Sequence, residues 1–341
     1  MISRTRLNLH SPVQFAVSLF VASLVTPLSV PSVSAAPQKK ILFITKAGKN
    51  FDEVREGMQK ELKSRYAFGE FQVAKDTAYE EFRKKVDEEK ADLHVLMDNQ
   101  AVSFLSRYNQ ESKQGVVLKK GVAVLGLNLK AVLKGNKEIA GVAFETPAYS
   151  LITQFRYVSK KTLKNVLVLY RKSLFEDVIR EASAQLKREG IALEAVNVES
   201  IGAATDTIAQ VVDTTLRSRV TESAQVDAVW VLLDSALLTP AAFSSTWVPI
   251  ARGSKIPFVT GVENLVSAQM NFALFGITPN LADLASQAAQ QVEAIAGEGV
   301  SPGDLGCEEP IGVNKFLNSK RAAEMGFEIR ADRLGDVKVL N

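Results

Sequence analysis

The stretch FITKAGKNFDEVREGMQKELK, Phe43 to Lys63, has an echo in LYRKSLFEDVIREASAQLK, Leu169 to Lys187. Each opens on the end of an apolar run, ILFIT or VLVLY, and crosses a short basic loop to a Phe. Each then enters a charged stretch of the same rhythm, Phe51-Asp52-Glu53-Val54-Arg55-Glu56 against Phe175-Glu176-Asp177-Val178-Ile179-Arg180. A short continuous apolar run marks a strand buried on both faces, and apolar residues at Phe51, Val54, Met58 and Leu62 keep helical spacing. The phrase is therefore strand, loop, helix, written twice.

The echo extends further. DLHVLMDNQAV from Asp92 is answered by DAVWVLLDSAL from Asp227: an Asp, a buried strand, then an acidic residue followed by a small polar one. Between these anchors the first half reads as strands at EFQVA, DLHVLM, GVAVLGL and IAGVAF, with helices over 80–89 and 100–108. The second half reads as strands at NVLVLY, ALEAVNV, DAVWVLL, IPFVTG and FALFGI, with helices over 175–189, 203–217, 240–251 and 281–296. A short helix over 319–325 closes the chain at Gly326. Alternating strands and helices imply parallel sheets with helices on both faces, so the spacing predicts two α/β, Rossmann-like lobes in tandem. The break falls near 145–150, at Pro147, with no Gly/Ser-rich tether.

The 341-residue chain begins with Arg4 and Arg6, an apolar stretch from Val13 to Val25, then Pro27, Pro31 and the small residues Val33-Ser34-Ala35. This pattern predicts a secretory signal peptide over residues 1–35. The apolar run is short of the roughly 20 residues a membrane span needs. No cysteine stands near the cleavage site, so a lipid anchor is not expected, and the expected location is the periplasm. The whole chain carries 41 Lys and Arg against 38 Asp and Glu; without Arg4 and Arg6 it is nearly neutral, which argues against nucleic acid as a partner. The sole cysteine, Cys307, can form no internal disulfide.

Little catalytic chemistry is on offer. His94 sits inside an apolar strand and reads as a core residue. No zinc spacing, nucleophile elbow, Walker loop or G-x-G-x-x-G occurs, so no metal, cofactor or catalytic residue is expected, and an exported α/β enzyme is disfavoured. Ligands of parallel α/β sheets sit outside the carboxyl ends of the strands. In the first half those ends offer Thr45, Lys46, Asn50, Phe51, Asp98, Asn99, Gln100, Phe144, Glu145 and Thr146. In the second they offer Tyr170, Arg171, Phe175, Asp234, Ser235, Gly261 and Glu263. Each has a structural alternative: Asn50 as a helix cap, Phe51 and Phe175 as core, Asp98 and Asp234 as caps, Lys46 and Arg171 as solvated charge, Glu145 as part of the inter-lobe passage. A small zwitterion would use helix-terminal amides near Asn50 and Gln100 for its carboxylate, and Asp98 or Asp234 for its ammonium.

Over nearly the whole chain beyond residue 35, the order and spacing of motifs resemble the ABC-transporter substrate-binding proteins that include tryptophan- and tyrosine-binding members. The resemblance is carried by ILFITKAGKNFDEVREGMQKEL, IAGVAFETPAYSLITQFRYV, NVLVLYRKSLFEDVIREASAQLKREGIAL, the late IPFVTGVENLVSAQMNFALFGITPNLADLASQAAQQVEAIAGEG, and the closing FLNSKRAAEMGFEI. It implies a type I periplasmic-binding-protein fold with three passages between lobes. Lobe one would comprise residues 37–146 plus about 278–308, and lobe two 147–277 plus about 309–341. It further implies a monomer that captures a small molecule by lobe closure without catalysis and serves a membrane permease, or a membrane sensor in the adaptor variant. The chain departs from the family pattern at Asp98-Asn99-Gln100, at Asn128-Leu129-Lys130 and at Ala140-Gly141, where many members carry Gly-Thr, Asp-Pro and Thr-Gly.

Overall fold

The computed structural model describes residues 38–112, 115–201, 205–222 and 225–341; the expected signal peptide lies outside them. The first sheet contains β1 (Lys40–Thr45), β2 (Ala67–Gln72), β3 (Leu93–Leu96), β4 (Gly121–Ala123), β5 (Ile139–Val142) and the short β11 (Cys307–Glu308). The second contains β6 (Asn165–Tyr170), β7 (Ala192–Asn197), β8 (Ala228–Val231), β9 (Phe258–Thr260), β10 (Phe275–Pro279), β12 (Val313–Asn318) and β13 (Val337–Leu340). The spatial orders are β2-β1-β3-β4-β5-β11 and β7-β6-β8-β9-β10-β12-β13, so the sequence echo is an echo of topology. Every pairing is parallel except β10 with β12.

The helices follow the apolar spacing. They include α1 (Lys49–Leu62), α2 (Tyr79–Glu89), α3 (Asn99–Glu111), the single turn α4 (Leu129–Val132), α5 (Ala148–Val158), α6 (Lys172–Arg188) and α7 (Thr205–Leu216). α1 buries Val54, Met58 and Leu62, one stripe at helical period. Against this stripe lies the late helix Leu281–Val292, whose Leu284, Ala285, Ala288 and Val292 complete the same core. The approach is close: a Cβ on Gly57 would stand 2.8 Å from the Ala285 Cβ, which is why glycine occupies that turn. A second core on the other face of the first sheet joins Leu42, Ile44, Phe82, Leu105 and Leu129. The second sheet is covered on one face by α5 and α6 and on the other by a core that includes Trp247, Phe258 and Phe272. Among the described residues no helix is long and apolar enough to cross a membrane.

Several expectations need correction. β4 and β5 end at Ala123 and Val142, short of the apolar runs that suggested them. The strand expected at FALFGI begins only at Phe275, because Phe272 to Leu274 pack as core ahead of the sheet. The helix expected over 240–251 is three segments, with a π-helical turn over Phe243–Trp247. α5 has a readable stripe at Leu151, Ile152, Phe155 and Val158 that the passage at Pro147 overshadows. β11, β12 and β13 leave little sign in sequence, being short or half-exposed and without a continuous apolar run.

Candidate functional site

The repeated aspartates show what the repeat holds together. Asp92 and Asp227 stand at the start of β3 and β8, and each carboxylate accepts from backbone N–H groups where the first strand of its sheet begins. Asp92 Oδ2 takes Lys40 N at 2.7 Å; Asp227 Oδ2 takes Lys164 N and Asn165 N at 2.8 and 3.0 Å. At the other end of those strands, Asp98 pairs with Lys46 and Asp234 with Arg171. Asp98 also caps α3 by accepting from Ala101 N at 2.8 Å, and Asp234 accepts from Ala236 N at 2.8 Å. Arg171 grips Asp234 with two bonds, from Nε at 2.7 Å and Nη2 at 2.8 Å.

The charges of Asp98 and Asp234 are thus answered inside their own halves. The expected capture of an ammonium by either finds no free carboxylate, because burying an acid beside a base already satisfies it. At the start of α3 the Ala101 N–H is already taken by the Asp98 carboxylate. Asn50 is not a cap either: α1 begins one residue earlier, with Gly48 at the cap position in the left-handed half of φ space.

Other expected site residues also have local tasks. Asn99 Nδ2 donates to Leu127 O at 2.7 Å, and Gln100 Nε2 donates to Ala74 O at 3.2 Å. Phe51 and Phe144 pack against the first lobe's core, and Tyr170 against the second's. Thr45 is buried, Ser235 is exposed and Gly261 is half-buried. Glu263 meets Lys338 at 3.7 Å.

Three of the expected residues do come together. Glu145, Thr146 and Phe175 line a cavity of about 120 Å³ whose walls come from both sheets' surroundings. The first half supplies Asn128, Lys130 and Ala143; the second supplies Trp230 and Leu232 from one face of β8 and its extension. Phe175, Val178, Ala182 and Gln185 add one stripe of α6. Strand alternation at Trp230 and Leu232, and the helical stripe on α6, were legible as faces; which side of the second lobe faced the groove was not. Asn128 takes the left-handed conformation before α4, an option asparagine tolerates better than most residues. That turn aims its backbone N–H at Glu145 Oε1 and its Nδ2 at Leu174 O, 2.8 Å away in the other lobe. Two exposed ion pairs join the lobes beside it, Lys130 with Glu181 at 3.1 Å and Lys134 with Asp177 at 3.0 Å.

Glu145 is the unusual group of this cavity. It is half-buried, and among the described residues no cation pairs with it. Burial pushes its carboxyl above the ordinary range, only partly offset by the Asn128 and Glu145 N–H groups. The neighbouring Thr146 Oγ1 is buried without a hydrogen-bond partner. Burial, with a contribution from Glu145, pushes the Cys307 thiol up to about 11, so this free cysteine holds its proton at neutral pH. His94 is the core residue that the sequence indicated, fully buried with its pKa lowered to about 4 by desolvation. Among the described residues no group of three or more His, Cys, Asp or Glu could hold a metal ion.

No protein-family model matches the chain, and no curated protein matches it by sequence. Solved structures do match. An ABC domain in complex with L-Trp from Streptococcus pneumonia superposes with TM-score 0.58 and 19% identity, over 89% of this chain and 100% of that one. A conserved domain protein from Vibrio cholerae gives TM-score 0.60 and 16% identity, over 89% and 99%. The ligand-free, open structure of a substrate-binding protein with adhesive properties from Clostridium difficile gives TM-score 0.63 and 15% identity, again over 89% and 99%. This chain has the type I periplasmic-binding-protein fold, the fold of substrate-binding proteins of ABC transporters.

Proposed function

We propose that the chain is an extracytoplasmic solute-binding protein that captures a small polar or amino-acid-like molecule between its lobes and hands it to a membrane permease. In this reading residues 37–146 and about 278–308 make one lobe, and residues 147–277 and about 309–341 the other. The observation that carries this reading is the cavity walled by Asn128, Glu145 and Thr146 from one side and Phe175, Trp230 and Leu232 from the other. A guest that touches both walls binds the closed arrangement better than the open one, and that differential affinity is what drives closure. No covalent step is assigned to any residue: the protein binds and releases.

The test is a thermal-shift screen of the purified protein, residues 36–341, against amino acids, amines, sugars and organic acids. A guest should raise the melting temperature, and the rise should grow with concentration over its dissociation constant. Small-angle scattering should then show a more compact particle with that guest. A library in which no compound shifts the melting point would sink the reading.

A further inference from the structure

Resting on that reading, we infer that the cavity takes a compact aliphatic amine: an organic cation rather than a zwitterion or an anion, its ammonium held by Glu145 and its hydrocarbon body lying against Phe175 and Trp230. The charge balance of the walls sets the class. Three carboxylates, Glu145, Glu181 and Glu309, line the cavity against one ammonium, Lys130. Lys130 is already shared by Glu181 at 3.1 Å and Glu309 at 3.6 Å, and all three side chains are about half exposed. They form a solvated rim. Glu145 lies deeper and, among the described residues, has no cation of its own.

A ligand carboxylate finds no partner here. The other basic groups at the strand ends, Lys46 and Arg171, are held by Asp98 and Asp234. A zwitterion would leave its carboxylate in a wall of like charge, unpaired and partly desolvated, which is costly. An ammonium, by contrast, supplies the ion pair that Glu145 lacks. Size sets the body. An apolar cavity of ~150 Å³ holds a benzene-sized guest, so about 120 Å³ suits a branched chain of four or five carbons. Ala143, Pro147, Ala148, Val178, Trp230 and Leu232 give the cavity apolar wall for that hydrocarbon body.

Three probes share one carbon skeleton and differ only in charge: isopentylamine, leucine and isovalerate. Calorimetric titration of the protein should show saturable binding of isopentylamine, with leucine and isovalerate weaker by at least about tenfold. Glu145→Gln should weaken the amine by roughly tenfold to a hundredfold, the range for a charge-assisted bond, while its melting temperature stays near that of the parent. Leucine or isovalerate binding as well as the amine, or no binding of the amine, overturns the inference. The proposed capture of a small solute then stands or falls separately on the broad screen. Should Glu145→Gln not fold, Phe175→Leu tests the same wall: it should weaken the amine, and unchanged binding overturns the assignment.

Discussion

Lys46–Asp98 in the first lobe and Arg171–Asp234 in the second occupy the same place in the repeat, after the first and third strands of their sheets, yet they are built to different standards. Asp98 keeps 13% of its side chain exposed and Lys46 33%; Asp234 keeps none and Arg171 23%. Lysine offers a point charge, whereas arginine offers a planar fork that matches a carboxylate with two bonds. The second lobe can therefore bury its acid completely, and the first cannot. One topological device serves as a fixed clamp in one half and as a hydrated cap in the other.

The largest expected effect breaks the clamp. Asp234→Ala leaves Arg171 without its partner and opens the Ala236 turn; removing one member of a buried pair costs about 3–5 kcal/mol. Chemical denaturation should show that loss with little change in slope. If Asp234→Ala is no less stable than the parent, the burial argument fails.

Next in size is an asymmetry inside the strands themselves. The sheet registers set His94 of β3 opposite Leu42 and Val229 of β8 opposite Leu167, so His94 stands where the second lobe has valine. The His94 Nδ1–H donates to Lys120 O at 3.1 Å, and Nε2 faces the core without a partner. Folded His94 takes a proton only near pH 4, against 6.5 for the free side chain. Between those values the unfolded chain binds the extra proton, so stability falls as pH drops through this window, by roughly 3 kcal/mol in all. In His94→Val that part of the acid sensitivity should disappear, as urea midpoints measured from pH 7 to pH 4 would reveal.

Asp98→Ala should be milder than Asp234→Ala. It removes a helix cap, about 1 kcal/mol, and a partly exposed pair worth 0–1 kcal/mol. A loss as large as that of Asp234→Ala would erase the distinction drawn between the two halves. Smallest is Lys134→Ala at the lobe junction. Its pair with Asp177 is exposed, so stability should move by less than about 0.5 kcal/mol, and scattering at low salt should be the better detector, through a slightly larger particle.

The sequence carried much of the fold because buried parallel strands need continuous apolar runs and helices on a sheet need one apolar stripe. ILFIT, LHVL and NVLVLY could hardly be anything else. The late strands were hidden because β12 and β13 lie toward one edge of the sheet and mix polar residues among their apolar ones. The candidate site was less legible. The repeated Asp98 and Asp234 looked like ligand groups because an acid at a strand end is chemically conspicuous, but a sequence does not show which base lies beside it. Glu145, Thr146 and Phe175 were named along with many neighbours. Trp230 was not, because as a large apolar residue in a buried strand it reads as core, and whether the other lobe's loops reach over it is a matter of tertiary placement.

The helix Leu281–Val292 has a consequence for how this protein comes into being. The first lobe is written mostly in the first half of the chain, yet Val54, Met58 and Leu62 stay uncovered until Leu284, Ala288 and Val292 have been made. Folding order cannot follow synthesis order there: the amino-terminal domain must wait, sticky and unfinished, for a piece encoded near the end. A chain stopped after Thr278 should bind a hydrophobic dye that the longer chain ignores, and supplying the missing helix as a separate peptide should quench that signal.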